Sequence, residues 1–247
     1  MDIVEMDQAD LSSVLQAASA ILAKTSRVHL LVDNAGIMAV PDLRFTSYGH
    51  ELQFGTNHLA HFLLFKLLQP ALLAAASEAI PSRVVILSSS GHNIHGLNGG
   101  DDYNFQQNAY DPFTAYGQSK TANIYMSNEI ERRFGSRHLH STSIHPGIIA
   151  TGLAQQMPPD AFKGMEHLYP VMKSVEQGAA TSILAAVGRR WKHQGGKYLV
   201  DCDIAPPHTD QDDAFTSGGC AQHAYDGGKA AKLWNDSLAL VGLPGVE

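Results

Sequence analysis

A tyrosine and a lysine, Tyr116 and Lys120, stand four residues apart in a stretch whose pattern predicts a helix. At that spacing two side chains lie on one helical face, one turn apart. An ammonium group near a phenol favours the phenolate, so we expect Lys120 to lower the pKa of Tyr116 below its ordinary value of about 10. The pair is a candidate acid/base catalyst near neutral pH. A solvated helix face is the alternative interpretation.

Three polar segments each follow an apolar run directly, and each adds groups that could serve the same chemistry. They are 34–36, 88–90 and 146–151. In an open parallel sheet the ligand-binding crevice lies beyond the carboxyl ends of the strands. We therefore expect the three segments to open onto one crevice.

Strand-like and helix-like segments alternate along the chain, by hydrophobic periodicity. Strands are predicted at 3–6, 28–32, 83–87, 140–144 and 196–200, and helices at 10–24, 48–73, 115–134, 174–187 and 224–240. Helical crossovers between strands imply a parallel sheet with helices on both faces. The fold class expected is α/β, a doubly wound parallel sheet, in one domain over 1–247.

Composition narrows the class of protein. The chain has 247 residues and a formal charge of -7, which argues against a nucleic-acid partner. It has two cysteines, Cys202 and Cys220, and no two of its thirteen histidines stand four residues apart, so no metal site is predicted. No apolar run reaches eighteen residues, so we expect no membrane span and a cytoplasmic protein.

Taken together, the motifs resemble those of the short-chain dehydrogenase/reductase family, most closely its retinol-dehydrogenase-like branch in fungal biosynthetic pathways. The matching residues are Asp33-Asn34-Ala35-Gly36, Asn57-His58-Leu59-Ala60-His61-Phe62, Ser88-Ser89, Tyr116 with Lys120, and Pro146-Gly147 followed by Thr151. The resemblance implies a Rossmann-like fold and an NAD(P)-dependent alcohol dehydrogenase or carbonyl reductase.

The resemblance also implies residue roles. Tyr116 would exchange a proton with the substrate oxygen, Lys120 would hydrogen-bond the nicotinamide ribose, and Ser89 would polarise the substrate oxygen. Asn57 would hold a water in a proton relay. The implied cofactor-binding residues are Asp7 near the adenine, Asn34, Ala35 and Gly36 on the adenosine side, Tyr116 and Lys120, and Ile149 and Thr151 beside the nicotinamide. Ser90 is the alternative to Ser89, and purely structural roles are the alternatives for Asn57 and Asp7.

The glycine-rich turn with which this family binds a pyrophosphate has no counterpart, because Gly36 is the first glycine in the chain. Segment 3–6 matches what is normally the third strand, so about two βα units are expected to be absent. The strand at 28–32 would then show an unpaired apolar edge. Three alternatives account for this edge. Segment 3–6 pairs with it, a second chain covers it, or the sequence starts at an internal methionine. The branch resemblance favours NADP over NAD.

The expected substrate is a small lipophilic or polycyclic metabolite. An apolar lid is expected at 157–169, with Met157, Phe162, Met165, Leu168 and Tyr169, opposite a wall at 91–112 with Tyr103, Phe105 and Tyr110. A shortened chain could instead perform cofactor-independent proton transfer, such as isomerisation, dehydration or cyclisation, or be a non-catalytic partner of a full-length homologue. By resemblance, helices 48–73 and 115–134 would pair subunits into a homodimer or homotetramer.

Overall fold

The structure is a computed structural model that describes residues 1–157, 166–209, 211–214, 216 and 218–244. Its strands are β1 Leu30–Asp33, β2 Ser82–Leu87, β3 Leu139–His145, β4 Ile148–Ile149, β5 Met172–Lys173, β6 Tyr198–Val200 and β7 Asp203–Ile204. Its α-helices are α1 Leu11–Leu22, α2 Leu52–Phe54, α3 Ala60–Ala75, α4 Pro112–Phe134, α5 Val175–Val187 and α6 Gly227–Leu240.

The central sheet runs in the order β1-β2-β3-β6-β7. The first three pairings are parallel, and only the short β7 returns antiparallel beside β6. Strand β3 is buried along its whole length, as a strand covered on both faces must be. The predicted α/β class with a Rossmann-like parallel sheet is therefore confirmed.

Helices cover the two faces of the sheet unequally. Val84 and Ile86 of β2 point into a large apolar core shared with α1, α3 and α4. Val85 points to the other face, where it packs with Ala185 and Ala186 of α5. Helix α5 covers the middle of this face of the sheet. It leaves the same side of β1 bare, because β1 lies beyond β2 at the edge.

Strand β1 is the open edge of the sheet. Its only neighbour among the described residues is β2, and Leu30 and Val32 are 39% and 42% exposed. The register aligns Leu30 with Arg83 and Val32 with Val85. The side chains of Leu30 and Val32 therefore point to the side of the sheet that carries α5, at a place that α5 does not cover. The predicted unpaired apolar edge is present.

The strand predicted at 3–6 is wrong. That segment has no regular structure and pairs with no described strand, although Met6 packs partly against the core. A four-residue apolar run forms a strand only where a ladder partner accepts its hydrogen bonds. Segment 3–6 therefore does not cover the edge of β1.

The predicted helix at 48–73 is built from three pieces. Helix α2 leads into a π-helical turn, Gly55–Leu59, which leads into α3. Single π turns inside α-helices often mark functional sites, because they re-aim one side chain. The residue at the centre of this turn is Asn57.

Side-chain caps fix where the other long helices begin. Asp10, Asp111 and Asp226 each accept a backbone N–H of the first turn of α1, α4 and α6. Ser174 and Gln177 form a reciprocal capping box at the start of α5. These caps account for helix starts near the predicted ones.

Helix α6 packs on the outer faces of α3 and α4. Trp234 meets the ring of Phe62 edge-on, with centroids 5.0 Å apart, and Ser237 hydrogen-bonds the His58 ring at 2.9 Å. Leu233 and Leu238 complete the contact. Helix α6 of the same chain thus packs on α3 and α4, the helices that the resemblance assigned to subunit pairing.

One continuous helical stretch, residues 52–75, has the length and composition to cross a membrane. In the protein, 67% of its most apolar window is buried. Core packing accounts for its apolar side chains, so it is weak evidence for a membrane span.

Replacing Trp234 by alanine should destabilise the protein by about 3–5 kcal/mol, because a ring that is 3% exposed leaves a cavity between three helices. Urea unfolding followed by circular dichroism measures the loss. Asn235→Ala, on the exposed side of the same helix, is the control and should stay within about 0.5 kcal/mol of the parent. Equal effects would show that α6 does not bury this face.

A buried carboxylate, Glu51, starts the helix that leads to Asn57. Its side chain is inaccessible to solvent and accepts the N–H groups of Gln53 and Phe54 at 3.0 and 2.7 Å. Burial raises the pKa of Glu51 to about 7, against the opposing effect of those two bonds. A raised folded-state pKa stabilises fully below about pH 4.5, and that stabilisation is lost as the pH rises through 7.

Glu51→Gln should therefore gain stability over the parent as the pH rises from 5 to 8, by up to about 3 kcal/mol for a shift of this size. Unfolding free energies at pH 5, 6, 7 and 8 measure the change. The exposed Glu176→Gln is the control, and its difference from the parent should not vary over that range. A flat difference for Glu51→Gln would refute the buried, proton-binding carboxylate.

Candidate active site

Ser89 and Tyr116 meet at the carboxyl end of β2. Ser89 lies two residues beyond the strand in an extended conformation, and its hydroxyl accepts the Gly91 N–H at 3.1 Å. A Cβ built on Gly91 would lie 2.8 Å from the Tyr116 ring, and one on Gly117 would lie 2.8 Å from the Gly91 carbonyl. Two glycines therefore let the serine turn approach α4 closely enough for Ser89 to hydrogen-bond the phenol.

Only one of the three serines is free to face a ligand. Ser88 donates its hydroxyl to the Lys120 carbonyl at 2.8 Å and is buried. Ser90 is also buried, and its N–H donates to the His145 ring at 3.2 Å. Ser89 is only partly buried, which favours it for the role that the resemblance implied.

The electrostatics of the pair differ from the expectation. Burial raises the pKa of Tyr116 to about 12, and the bond from Ser89 lowers it only in part. Burial lowers the pKa of Lys120 to about 8. The Lys120 ammonium donates to the Leu87 carbonyl at 3.3 Å and lies 5.5 Å from the centre of the phenol ring. The prediction that Lys120 lowers the pKa of Tyr116 is not met, because desolvation of both groups outweighs their attraction.

Asn57 bonds in three directions from the π turn. Its side chain accepts the Ile37 N–H at 2.8 Å, and it donates to the Ile37 carbonyl and to the Ser119 hydroxyl, each at 2.9 Å. Ser119 in turn donates to the Tyr116 carbonyl at 2.8 Å. Asn57 thereby joins the loop after β1 to the tyrosine helix.

The loop after β1 reaches this centre through Gly36. A Cβ there would lie 2.9 Å from the Asn57 side-chain oxygen and 3.5 Å from the Lys120 ammonium. Asn34 and Ala35, just before it, are exposed beyond the strand. The cluster thus brings together two of the three segments that the sequence predicted to share a crevice, 34–36 and 88–90, beside Asn57 and α4.

The predicted residues at the far side of the crevice are less closely tied. Ile149 lies in β4, which pairs with β5, and packs against Gly178. Thr151 is exposed and accepts the Leu153 N–H at 3.3 Å. The contacts of Asp7 are local, with Ser13 and Ala9 at the start of α1, and they do not join it to the cluster.

The predicted ligand wall at 91–112 and the predicted lid at 157–169 have different outcomes in the structure. Tyr103 stacks on Phe54 at 4.8 Å and donates to Asp236 at 2.7 Å, and Phe105 is buried against Tyr110. The aromatic residues of 91–112 are therefore committed to packing, and the predicted ligand wall there is not observed for them. Of the predicted lid, Phe162 and Met165 lie outside the described residues, Met157 and Leu168 are buried, and Tyr169 is exposed.

The sequence predicted no role for several polar residues near the centre. His61 hydrogen-bonds the Asn57 carbonyl at 2.9 Å, and burial lowers its pKa to about 4. His145 lies at the end of β3, and burial together with Lys173 lowers its pKa to about 4. Asp33 is buried at the end of β1, neither carboxylate oxygen has a described partner, and burial raises its pKa. Their positions directly after strands or within the Asn57 motif were the available signal.

The residues fit one half of a nicotinamide dinucleotide. The close approach at Gly36 and Gly91 leaves backbone where a ligand would need it, beside a hydroxyl, a phenol and an ammonium. Residues 1–29 contain no glycine, so the pyrophosphate half is not assigned to them. Among the described residues no group of three His, Cys, Asp or Glu side chains could hold a metal.

The chain is similar to fungal oxidoreductases. It is 42% identical to a short-chain dehydrogenase/reductase, prx1, of Penicillium roqueforti over 246 residues, covering 98% of this chain and 71% of that protein. It is 38% identical to the oxidoreductase calI of Penicillium decumbens, covering 98% of this chain and 72% of that protein.

Solved structures show the same fold. An uncharacterised protein from Mycobacterium paratuberculosis aligns with a TM-score of 0.64 at 31% identity, over 98% of this chain and 76% of that one. An NADPH-bound carbonyl reductase from chicken fatty liver aligns with a TM-score of 0.57 at 20% identity, over 82% and 76%. At that identity the second likeness shows the fold alone.

The model of the short chain dehydrogenase family matches residues 1–161, and Ser89, Tyr116 and Lys120 all lie within that match. The family match, the fungal relatives and the parallel sheet agree with one another. The chain belongs to the short-chain dehydrogenase/reductase family of oxidoreductases.

Proposed function

We propose that the chain provides the catalytic half of an NAD(P)-dependent carbonyl reductase or alcohol dehydrogenase. The observation that carries the proposal is the buried contact of Ser89, Tyr116 and Lys120 at the end of β2. Burial excludes water and strengthens each electrostatic contact in a site of this kind. The retinol-dehydrogenase-like branch is part of the same proposal.

The protonation states favour reduction of a carbonyl. With a pKa of about 12, Tyr116 carries its proton at neutral pH and can donate it to the substrate oxygen, which Ser89 holds. With a pKa of about 8, Lys120 is mostly charged at pH 7, and its charge stabilises the tyrosinate left behind. A bound nicotinamide supplies the hydride. The residues that the resemblance implies would hold the cofactor are Asp7, Asn34, Ala35, Gly36, Tyr116, Lys120, Ile149 and Thr151.

The cofactor is proposed to be NADP, with NAD as the alternative. The branch resemblance supports this choice, while the solved structures of the same fold include complexes with NADP, NADPH and NADH alike. The substrate is proposed to be a small lipophilic or polycyclic metabolite, in keeping with fungal relatives named as oxidoreductases. A role in secondary metabolism and the cytoplasmic location stay predictions.

Calorimetric titration of the protein with NADPH and NADH tests the redox proposal directly. We expect the 247-residue chain to bind NADPH. A folded sample that binds neither would refute hydride transfer by this chain.

Tyr116→Phe removes the proton donor and keeps the ring. Turnover of a broad-specificity aromatic dicarbonyl such as 9,10-phenanthrenequinone should fall by about 10²–10⁴-fold. NADPH affinity should hold within about two-fold. The control is Tyr225→Phe, a tyrosine whose hydroxyl accepts the Tyr198 N–H near the end of the chain. Unchanged turnover in Tyr116→Phe would exclude both this mechanism and cofactor-independent proton transfer.

The open edge of β1 supports a second proposal about what the chain needs. The relatives are longer, the edge is bare, and Asp33 is buried there without a described partner. We propose that the sheet is completed at this edge by further strands, either from a longer version of the chain or from a full-length homologue. A homodimer or homotetramer that pairs through helices 48–73 and 115–134 stays a prediction.

The edge predicts self-association of the 247-residue chain. Exposed, unpaired apolar strands pair with one another, and lysine on the strand blocks them. Leu30→Lys should shift a concentration-dependent oligomer toward monomer in light scattering after size exclusion. Leu15→Lys, equally apolar and exposed on α1, is the control. A parent chain that is monomeric at all concentrations would contradict the proposal.

A further inference from the structure

A buried histidine outside the family motifs lies directly behind the serine. His92 is inaccessible to solvent and lies in the short turn Ser90–Asn93. Its ring Nδ1 lies 2.6 Å from the Ser89 carbonyl oxygen, and its own N–H reaches the same oxygen at 3.1 Å. Two donors from one residue therefore converge on the Ser89 carbonyl.

The other ring nitrogen of His92 fixes the proton. Nε2 lies 3.1 Å from the Ala221 N–H, and a backbone N–H can only donate. Nε2 is therefore unprotonated, and Nδ1 carries the proton that it donates to Ser89. Burial lowers the pKa of His92 to about 3, so the ring stays neutral at physiological pH.

His92 and Asn93 attach the serine turn to the C-terminal segment, defined as residues 219–224. Asn93 accepts the Ala221 N–H at 3.0 Å and donates to the Gly219 carbonyl at 3.0 Å. His223 donates through Nε2 to the His92 carbonyl at 3.0 Å. Four hydrogen bonds in all join two short stretches that are about 130 residues apart in sequence.

The same C-terminal segment is attached to the tyrosine helix. Tyr125 of α4 donates its hydroxyl to the His223 carbonyl at 2.7 Å. Asn128, one turn further, donates to the Ala224 carbonyl at 3.0 Å. The segment is thus bonded to the serine turn on one side and to α4 on the other.

We propose that His92 is a positioning residue, which holds Ser89 against Tyr116 through its ring hydrogen bond to the serine carbonyl, in a turn that Asn93 also attaches to the C-terminal segment. The Ser89 hydroxyl must lie within hydrogen-bond reach of both the phenol and a substrate oxygen, and small displacements at such a site are costly. Neither β2 nor the turn alone fixes that distance, because α4 is a separate element. The inference rests on the proposed function for its catalytic meaning, although the hydrogen-bond chain is independent of it.

Two substitutions separate the two ring contacts. In His92→Asn the amide nitrogen takes the position of Nδ1, so the bond to the Ser89 carbonyl is retained. In His92→Gln the amide reaches the position of Nε2, so the contact with Ala221 is retained and the ring bond to Ser89 is lost. His58→Gln is the control, because His58 is equally buried but bonds Ser237 of α6.

Hydrogen exchange of the Gly91 amide, which donates to the Ser89 hydroxyl, is the first readout and needs no enzymatic activity. Losing one buried hydrogen bond should speed that exchange about ten-fold in His92→Gln. His92→Asn and His58→Gln should stay within about two-fold of the parent. If His92→Gln does not fold, Asn93→Ala replaces it and should speed the same exchange about three-fold. Unchanged exchange, or equal acceleration in the Asn and Gln variants, would overturn the proposal.

Turnover of 9,10-phenanthrenequinone with NADPH is the second readout. We expect kcat to fall at least ten-fold in His92→Gln, with the KM for NADPH unchanged and with recovery in His92→Asn. Faster exchange without a loss of kcat would show a merely structural anchor and overturn the positioning role. A parent chain that reduces no carbonyl would refute the proposed function, while exchange and its rescue by asparagine would still decide the role of His92.

Discussion

The burial of α4 between the sheet and α6 is the constraint on which the rest of the structure depends. Sixteen of its twenty-three residues are buried, from Ala115 through most of the helix to Phe134. A helix surrounded in this way carries its polar side chains into a region of low dielectric constant. The altered pKa values of Tyr116 and Lys120 follow from that environment. Most other buried polar side chains of α4 have hydrogen-bond partners, whereas the side-chain oxygens of Asn123 and Asn128 have none among the described residues.

Local pattern predicted most of the architecture, because local pattern is what decides strands and helices that are buried on one or both faces. The runs before Asp33 and Ser88 are continuously apolar, and the cap at Asp111 followed by Pro112 starts α4. Helix and strand types were therefore readable, and so was the clustering of Asn57, Ser89 and Tyr116, since parallel strands end at one edge.

What the sequence did not reveal depends on distant partners. Segment 3–6 has strand-like residues but no neighbour to complete a ladder, so it stays irregular. The packing of α6 on α3 and α4 depends on Trp234, which lies 100 residues beyond Phe134, the last residue of α4. The spacing of Tyr116 and Lys120 predicted their shared face but not the cost of desolvating both. Each of these outcomes is set by tertiary burial, which periodicity does not report.

The serine turn and the end of β1 differ in the hydrogen bonding of their buried polar groups. Around Ser89, backbone and side-chain groups are paired in a continuous network that reaches the C-terminal segment. At the end of β1, by contrast, Asp33 is buried without a described partner and two apolar side chains are exposed. Buried polar groups in native proteins are almost always paired, and the unpaired ones among the described residues include Asp33 at the edge and Thr56, His58 and Tyr198 nearer the centre. The serine turn is therefore held by paired groups on both sides, whereas the carboxylate of Asp33 keeps hydrogen-bonding capacity at the crevice end of β1.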